Sequence, residues 1–252
     1  MVAYRNGCST NCPLLIILHG AGGDGQKMAA DSQIYNEFTG IIAFPSSIPF
    51  ATGWPILANN DTAWNSNMQV VRNLIDLPDV DPTRVFTLGF SSGGFYSYAL
   101  ACAMGDELRA AVVVSALKYV QPACPHVTNI LHIHSAHDNY NVPTDPANGT
   151  KPGGAAEIGR PATLRDNWLD RLPAGSDATT NGRAGVTSGA FTLFSAAEGI
   201  GNLTYSYWSY LTGPERHAYI VYGDYGPELP AGAPGGVQME AYIATYLEAH
   251  AK

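Results

Sequence analysis

The segment Gly89-Phe90-Ser91-Ser92-Gly93-Gly94 constrains the fold of this chain more than any other. It follows an apolar run, Val85 to Leu88, and precedes a stretch of helical character, Phe95 to Met104. A strand that turns sharply into a helix through G-x-S-x-G holds its serine exposed on a strained turn, as a nucleophile requires. Small residues are needed on both sides because the backbone doubles back and no side chain can block the hydroxyl. A similar pattern can close a plain βα loop, so its weight comes from the strand and helix around it.

The rest of the chain repeats that alternation. Short β-branched runs and helical stretches follow one another, which predicts an α/β fold with a mostly parallel central sheet and helices on both faces. The expected strands are Leu14 to Leu18, Ile41 to Phe44, Val85 to Leu88, Ala111 to Val114 and Ile130 to His134. Met68 to Leu77 and Phe95 to Met104 carry apolar residues at helical spacing. From Asp138 to about Gly189 the chain turns rich in Pro, Gly, Asn and Thr, with one helical piece near Thr163 to Leu172, within an irregular stretch at about 139–200. This reads as a loop-rich excursion over one face, of the kind that shapes a binding site. Two β-rich runs follow, Leu203 to Leu211 and Ala218 to Tyr222. Val237 to Ala249 closes the chain as an amphipathic helix with Met239, Ile243, Tyr246 and Leu247 inward. No internal repeat divides the 252 residues, which read as one domain.

Composition narrows the classes of partner. Charged residues make up only 13% of the chain, about half the usual share, while glycine (27), proline (17) and tyrosine (14) are plentiful. That balance leans toward a secreted or extracytoplasmic protein. No leader is visible at Met1, which opens almost directly onto a strand-like segment, so a leader is expected to have been removed. A net charge of -8 argues against nucleic acid, whose phosphates demand a basic surface. No apolar run reaches the length of a membrane span. Of the four cysteines, Cys8 and Cys12 stand as a local bridge or as two thiols, and the absence of nearby histidines speaks against zinc. Cys102 and Cys124 stand either as a second bridge or as buried thiols.

In a parallel sheet, function collects at the carboxyl ends of the strands. The first strand runs into His19-Gly20-Ala21-Gly22-Gly23, a turn whose backbone N–H groups can face a site. Ala21 N–H and Ser92 N–H are the candidate oxyanion-hole donors. His19 reads as a brace of this turn rather than a base, and no lysine follows the glycines as a phosphate loop would require. The fifth strand ends in His134-Ser135-Ala136-His137-Asp138. An aspartate just past a strand end is placed to orient an imidazole, although an Asx turn has the same spacing. His134 and His137 lack further ligand spacing for a metal.

Three segments together resemble a known family: the H-G-x-G-G turn at His19, D-P-T-R-V-F-T-L-G-F-S-S-G-G at Asp81 to Gly94, and L-H-I-H-S-A-H-D at Leu131 to Asp138. They are similar to the α/β-hydrolase esterases related to polyhydroxybutyrate depolymerases, feruloyl esterases and acetylxylan esterases. The resemblance runs from about Leu14 to Asp138 and returns weakly near the last helix. It implies Ser91 as nucleophile, Asp138 as triad acid, and Ala21 with Ser92 as oxyanion donors.

The base is harder to place. After Asp138 only His217 and His250 remain, and His250 ends the final helix, which leaves His217. The family closes its last parallel strand with a G-x-G-H type turn, and the best local match, Gly223 to Pro230, sets Pro227 where the histidine belongs. Were Ala218 to Tyr222 the last parallel strand, His217 would sit at its amino end, roughly 16 Å from the other end. Were Leu203 to Leu211 that strand, His217 would follow it by a short loop and fit. The second arrangement is the one expected here.

The leading expectation is a serine esterase acting on a small-molecule or polymeric ester, with no metal or organic cofactor implied. Trp54, Trp64, Tyr140 and Trp208, with Trp168, fall in segments that could line a cleft for an aromatic acyl group or a polyester unit, though each residue taken singly reads as packing. Two rivals remain. One is a non-catalytic binding protein of the same fold with its triad broken at Pro227, and the other is a serine peptidase.

Overall fold

Alternate residues of the run from Leu14 to Leu18 point to opposite faces, and all five are fully buried. Only a strand covered on both sides needs such an unbroken apolar sequence. The computed structural model, which describes residues 1–48, 53–55, 61–116, 128–135, 179–182, 186–188, 191–193, 196–200, 203–210 and 239–251, shows how the cover is built. β1 (Val2–Asn6), β2 (Cys12–Leu18), β3 (Gly40–Phe44), β4 (Val80–Phe90), β5 (Ala110–Val114) and β6 (Asn129–Ser135) come first. β7 (Thr179–Gly182), β8 (Val186–Ser188), β9 (Phe191–Leu193), β10 (Ala196–Ile200) and β11 (Leu203–Tyr210) follow. The helices that bear on the argument are α1 (Gly25–Asp31), α2 (Thr62–Ile75), α3 (Ser92–Met104) and α4 (Met239–Ala249).

The strands form one sheet in the order β1-β3-β2-β4-β5-β6-β11-β10-β7, with β8 and β9 branching from β11. The six from β3 to β11 are parallel, as expected from the sequence. β1 closes one edge antiparallel to β3, and the short strands β7 to β10 extend the other edge antiparallel. Part of the segment read as a loop-rich excursion therefore belongs to the sheet, carried there by pairing to β11 rather than by any apolar pattern of its own.

Helices cover both faces. Leu15, Ile17, Phe86, Leu88, Val112 and Ile133 pack against Met28 of α1 and Ile243 and Leu247 of α4. Leu14, Ile16, Leu18 and Val85 pack against Val71 and Leu74 of α2 and Tyr96, Ala99 and Leu100 of α3. Each Leu, Ile, Val, Phe or Met among them contributes about 1.5–3 kcal/mol through burial. Ile243, Tyr246 and Leu247 are buried, as the amphipathic pattern predicts. The helix expected at Met68 to Leu77 begins earlier, at Thr62, because the Asp61 side chain caps it by accepting from Trp64 N–H at 2.8 Å.

At the amino ends of the strands the chain is tied down by polar links. Cys8 and Cys12 form a disulfide, and Cys102 is disulfide-bonded as well. Arg84 donates to the Asn11 carbonyl inside the Cys8–Cys12 turn and to Asp81 at 2.8 Å. Asp81 also accepts from the Thr83 hydroxyl and N–H, and the hydroxyl is the main reason its carboxyl is held below the usual range. The D-P-T-R segment is thus a brace at the end of the sheet opposite the carboxyl ends.

Candidate active site

The chain leaves β2 toward β3 and leaves β4 in the other direction, toward β5, while β2 and β4 lie side by side. This is the point at which an open parallel sheet forms a crevice beyond its carboxyl ends. Leu18 pairs with Gly89, so the turn after β2 and the turn after β4 emerge next to each other.

Ser91 occupies the second turn with φ 51° and ψ -117°, a region that non-glycine residues rarely enter. Such strain persists only where the surroundings enforce it. Ser91 N–H donates to the Val114 carbonyl at 2.9 Å, and its own carbonyl accepts from Phe95 N–H at 3.0 Å in the first turn of α3. The flanking glycines explain the sequence pattern. A Cβ on Gly89 would lie 2.1 Å from the Gly93 carbonyl oxygen, and one on Gly93 would lie 2.1 Å from that of Leu18. No side chain fits at either position. Ser91 is partly exposed at the amino end of α3, where the helix dipole favours negative charge.

The turn after β2 is fixed by His19. Its ring is buried, with Nε2 accepting from Ser47 N–H at 3.1 Å and Nδ1 lying 2.7 Å from the Gly20 carbonyl. Because a backbone N–H can only donate, Nε2 carries no proton and Nδ1–H donates to Gly20. Burial holds the imidazole below its usual pKa, so it stays neutral. His19 is a brace, as its setting in the sequence implied. The turn sits against the elbow: Gly93 N–H donates to the His19 carbonyl at 3.1 Å, and a Cβ on Gly20 would lie 3.5 Å from the Ser91 Cβ. Ala21 is exposed at this edge. Among the described residues, no backbone hydrogen bond is donated by Ala21 N–H or Ser92 N–H.

The expected aromatic lining divides. Trp54 and Trp64 are each only 4% exposed, and both pack on Tyr96 of α3, Trp54 stacked at 5.2 Å and Trp64 edge-on at 5.4 Å. Their rings belong to the core cluster on this face of the sheet. Trp208 lies in β11, opposite Ile133 of β6. Tyr140, Asp138 and His217 lie outside the described residues. Phe90, Val114, Ile133 and Trp208 form one row across β4, β5, β6 and β11; β4 and β5 end on that row, and β6 and β11 run together two residues beyond it. Among the described residues no group of three or more His, Cys, Asp or Glu could hold a metal ion.

Known proteins share this fold. The chain is 30% identical over 120 residues to feruloyl esterase B of Thermothelomyces thermophilus, a match covering 44% of this chain and 41% of the relative. It is 26% identical over 143 residues to a bifunctional acetylxylan esterase/xylanase of Neocallimastix patriciarum, covering 51% of this chain and 20% of the relative. The match thus spans less than half the length of either curated relative. Among solved structures, an acetyl xylan esterase from Aspergillus awamori superposes with a TM-score of 0.59 at 15% identity, over 84% of this chain and 87% of that one. A carboxylesterase from Bacillus cereus gives 0.55 at 10% identity, over 99% and 93%. The chain has the α/β-hydrolase fold. No family model matches it.

The resemblance to feruloyl and acetylxylan esterases, read from three motifs, therefore holds in sequence, and the fold expected from it is the fold observed. Two features of this α/β-hydrolase escaped sequence reasoning. Trp54 meets the site through its backbone N–H, which donates to Ser92 Oγ at 2.8 Å. A Gly-Trp pair shortly after a strand end is the only signal the sequence carries for it. Beneath the site, the Tyr98 hydroxyl and His132 Nδ1 lie 2.7 Å apart in the core, so the first histidine of L-H-I-H belongs to the interior.

Proposed function

We propose that this α/β-hydrolase is a serine carboxylic-ester hydrolase with Ser91 as nucleophile, Asp138 as acid and His217 as base. The observation that carries the reading is β11. It pairs parallel to β6 and ends level with it, which makes Leu203–Tyr210 the parallel strand after β6. β11 beside β6 supports the arrangement in which His217 follows that strand by a short loop, rather than the one that sets Pro227 at the histidine position after a later strand at Ala218 to Tyr222. Seven residues carry the chain from Tyr210 to His217, a reach of about 23 Å. The distance to cover is three strand spacings from β11 to β4, about 14 Å. Asp138 follows Ser135 by three residues, and β6 is two spacings from β4.

In this reading Ser91 Oγ attacks the ester carbonyl as His217 Nε2 takes its proton, and Asp138 holds the imidazole through Nδ1–H. Ala21 N–H and Ser92 N–H donate to the oxyanion that forms. His217 then protonates the leaving alcohol, and the acyl group remains on Ser91. Water, deprotonated by the same imidazole, attacks the acyl-enzyme and releases the acid. The names of the matched relatives favour an aromatic or polysaccharide-linked ester, and a polyester remains within the same chemistry. Two disulfide-bonded sites and a low charge content favour a secreted setting.

Hydrolysis of p-nitrophenyl acetate and butyrate tests the reading. Ser91→Ala and His217→Ala should each lower kcat by roughly 10³-fold or more. Activity that needs Ser91 but survives His217→Ala would remove His217 from the role. A wild type no faster than Ser91→Ala would favour a binding protein of the same fold.

A further inference from the structure

The two backbone donors of the proposed oxyanion hole come from different segments, the turn after β2 and the start of α3. Their spacing is therefore set by whatever joins those segments, and Trp54 joins them. Its Nε1–H donates to the His19 carbonyl at 3.0 Å, the same oxygen that accepts from Gly93 N–H. Its backbone N–H donates to Ser92 Oγ at 2.8 Å. Its indole stacks on Tyr96 of α3 and lies 5.1 Å from the His19 ring. Gly53, with φ +92°, fills the space between: a Cβ there would lie 2.5 Å from Ser92 Oγ and 3.5 Å from the Ala21 Cβ.

We infer that Gly53 and Trp54, acting with the Ser92 hydroxyl, are positioning residues that set the spacing of Ala21 N–H and Ser92 N–H around the oxyanion. The inference rests on the ester-hydrolase reading of the site. Oxyanion donors must lie about 2.7–3.1 Å from an oxygen that carries full charge only in the transition state. A brace that holds two donors at that separation acts on the transition state and leaves substrate binding largely untouched. The Ser92 hydroxyl touches no reacting atom in this scheme. Its work is to accept from Trp54 and so fix the peptide that bears the Ser92 N–H.

Ser92→Ala removes the acceptor, and Trp54→Phe keeps a stacked ring while removing the indole donor. With p-nitrophenyl butyrate, each should lower kcat by roughly 10-fold, a part of the 10²–10³-fold that loss of a whole oxyanion donor costs, with KM within about twofold. Inhibition by butylboronic acid, whose tetrahedral serine adduct mimics the transition state, should weaken by the same factor as kcat. Rates are taken per active site titrated with a fluorophosphonate, so that a partly folded variant is not mistaken for a misaligned one. A Ser92→Ala variant with wild-type kcat overturns the brace, as does a fall in kcat without the matching loss of boronate affinity. A wild type whose turnover does not depend on Ser91 overturns the hydrolase reading, and the brace with it.

Discussion

His19 shows how one side chain can carry a site without taking part in its chemistry. Its two ring nitrogens join the Ser47 N–H to the Gly20 carbonyl, and this works only for the neutral ring. Burial lowers the imidazole pKa in the fold, so its contribution is complete above the ordinary value of 6.5 and is lost as pH falls below it. Protonation would place a second donor against Ser47 N–H and release the turn that bears Ala21. The expected outcome is a fall in melting temperature between pH 7 and pH 5 that is steeper in the wild type than in His19→Gln. Glutamine keeps a donor and an acceptor but does not titrate. Equal slopes in the two proteins would show that His19 is not the group responsible.

Among the elements, α4 is tied to the rest of the fold by a buried carboxylate. Glu240 is 3% exposed, accepts from the Ser32 hydroxyl at 2.7 Å and accepts from Gln33 N–H at 2.9 Å. It ties the last helix to the segment just after α1, more than two hundred residues earlier in the chain. Glu240→Ala would leave both donors without that acceptor and should cost about 1–3 kcal/mol in denaturant unfolding, with Glu240→Gln costing less. Elements whose apolar pattern carries them were legible in the sequence. The parallel strands β2 to β6 and the inward face of α4 follow from the apolar runs Leu14–Leu18, Ile41–Phe44, Val85–Leu88, Ala111–Val114 and Ile130–His134 and from Ile243–Leu247. The start of α2 was not, because it is set by the Asp61 cap rather than by apolar spacing. Neither was the path of β7 to β10, whose short Thr-, Ala- and Gly-containing runs are placed by their neighbours in the sheet.

For the whole molecule, what matters is that strand order and motif converge on one crevice. The reversal of direction between β2 and β4 would open a crevice in any sheet of this order, and the Gly89–Gly94 elbow puts a strained serine into it. Ser91 and the His19 turn could be read from the sequence because steric demand leaves few residue types that fit. The Trp54 link could not, since a backbone N–H carries no mark in the sequence and its partner Ser92 looks like one more small residue of the turn. D-P-T-R, the most specific piece of the family resemblance, lies at the opposite end of the sheet and marks stability rather than chemistry. The central claim is that Ser91 is an activated nucleophile. Its most direct test is intact-mass and peptide analysis after brief exposure to a fluorophosphonate. One adduct per chain, mapped to Ser91 and absent from Ser91→Ala, is the predicted result; no adduct, or an adduct on another residue, would contradict it.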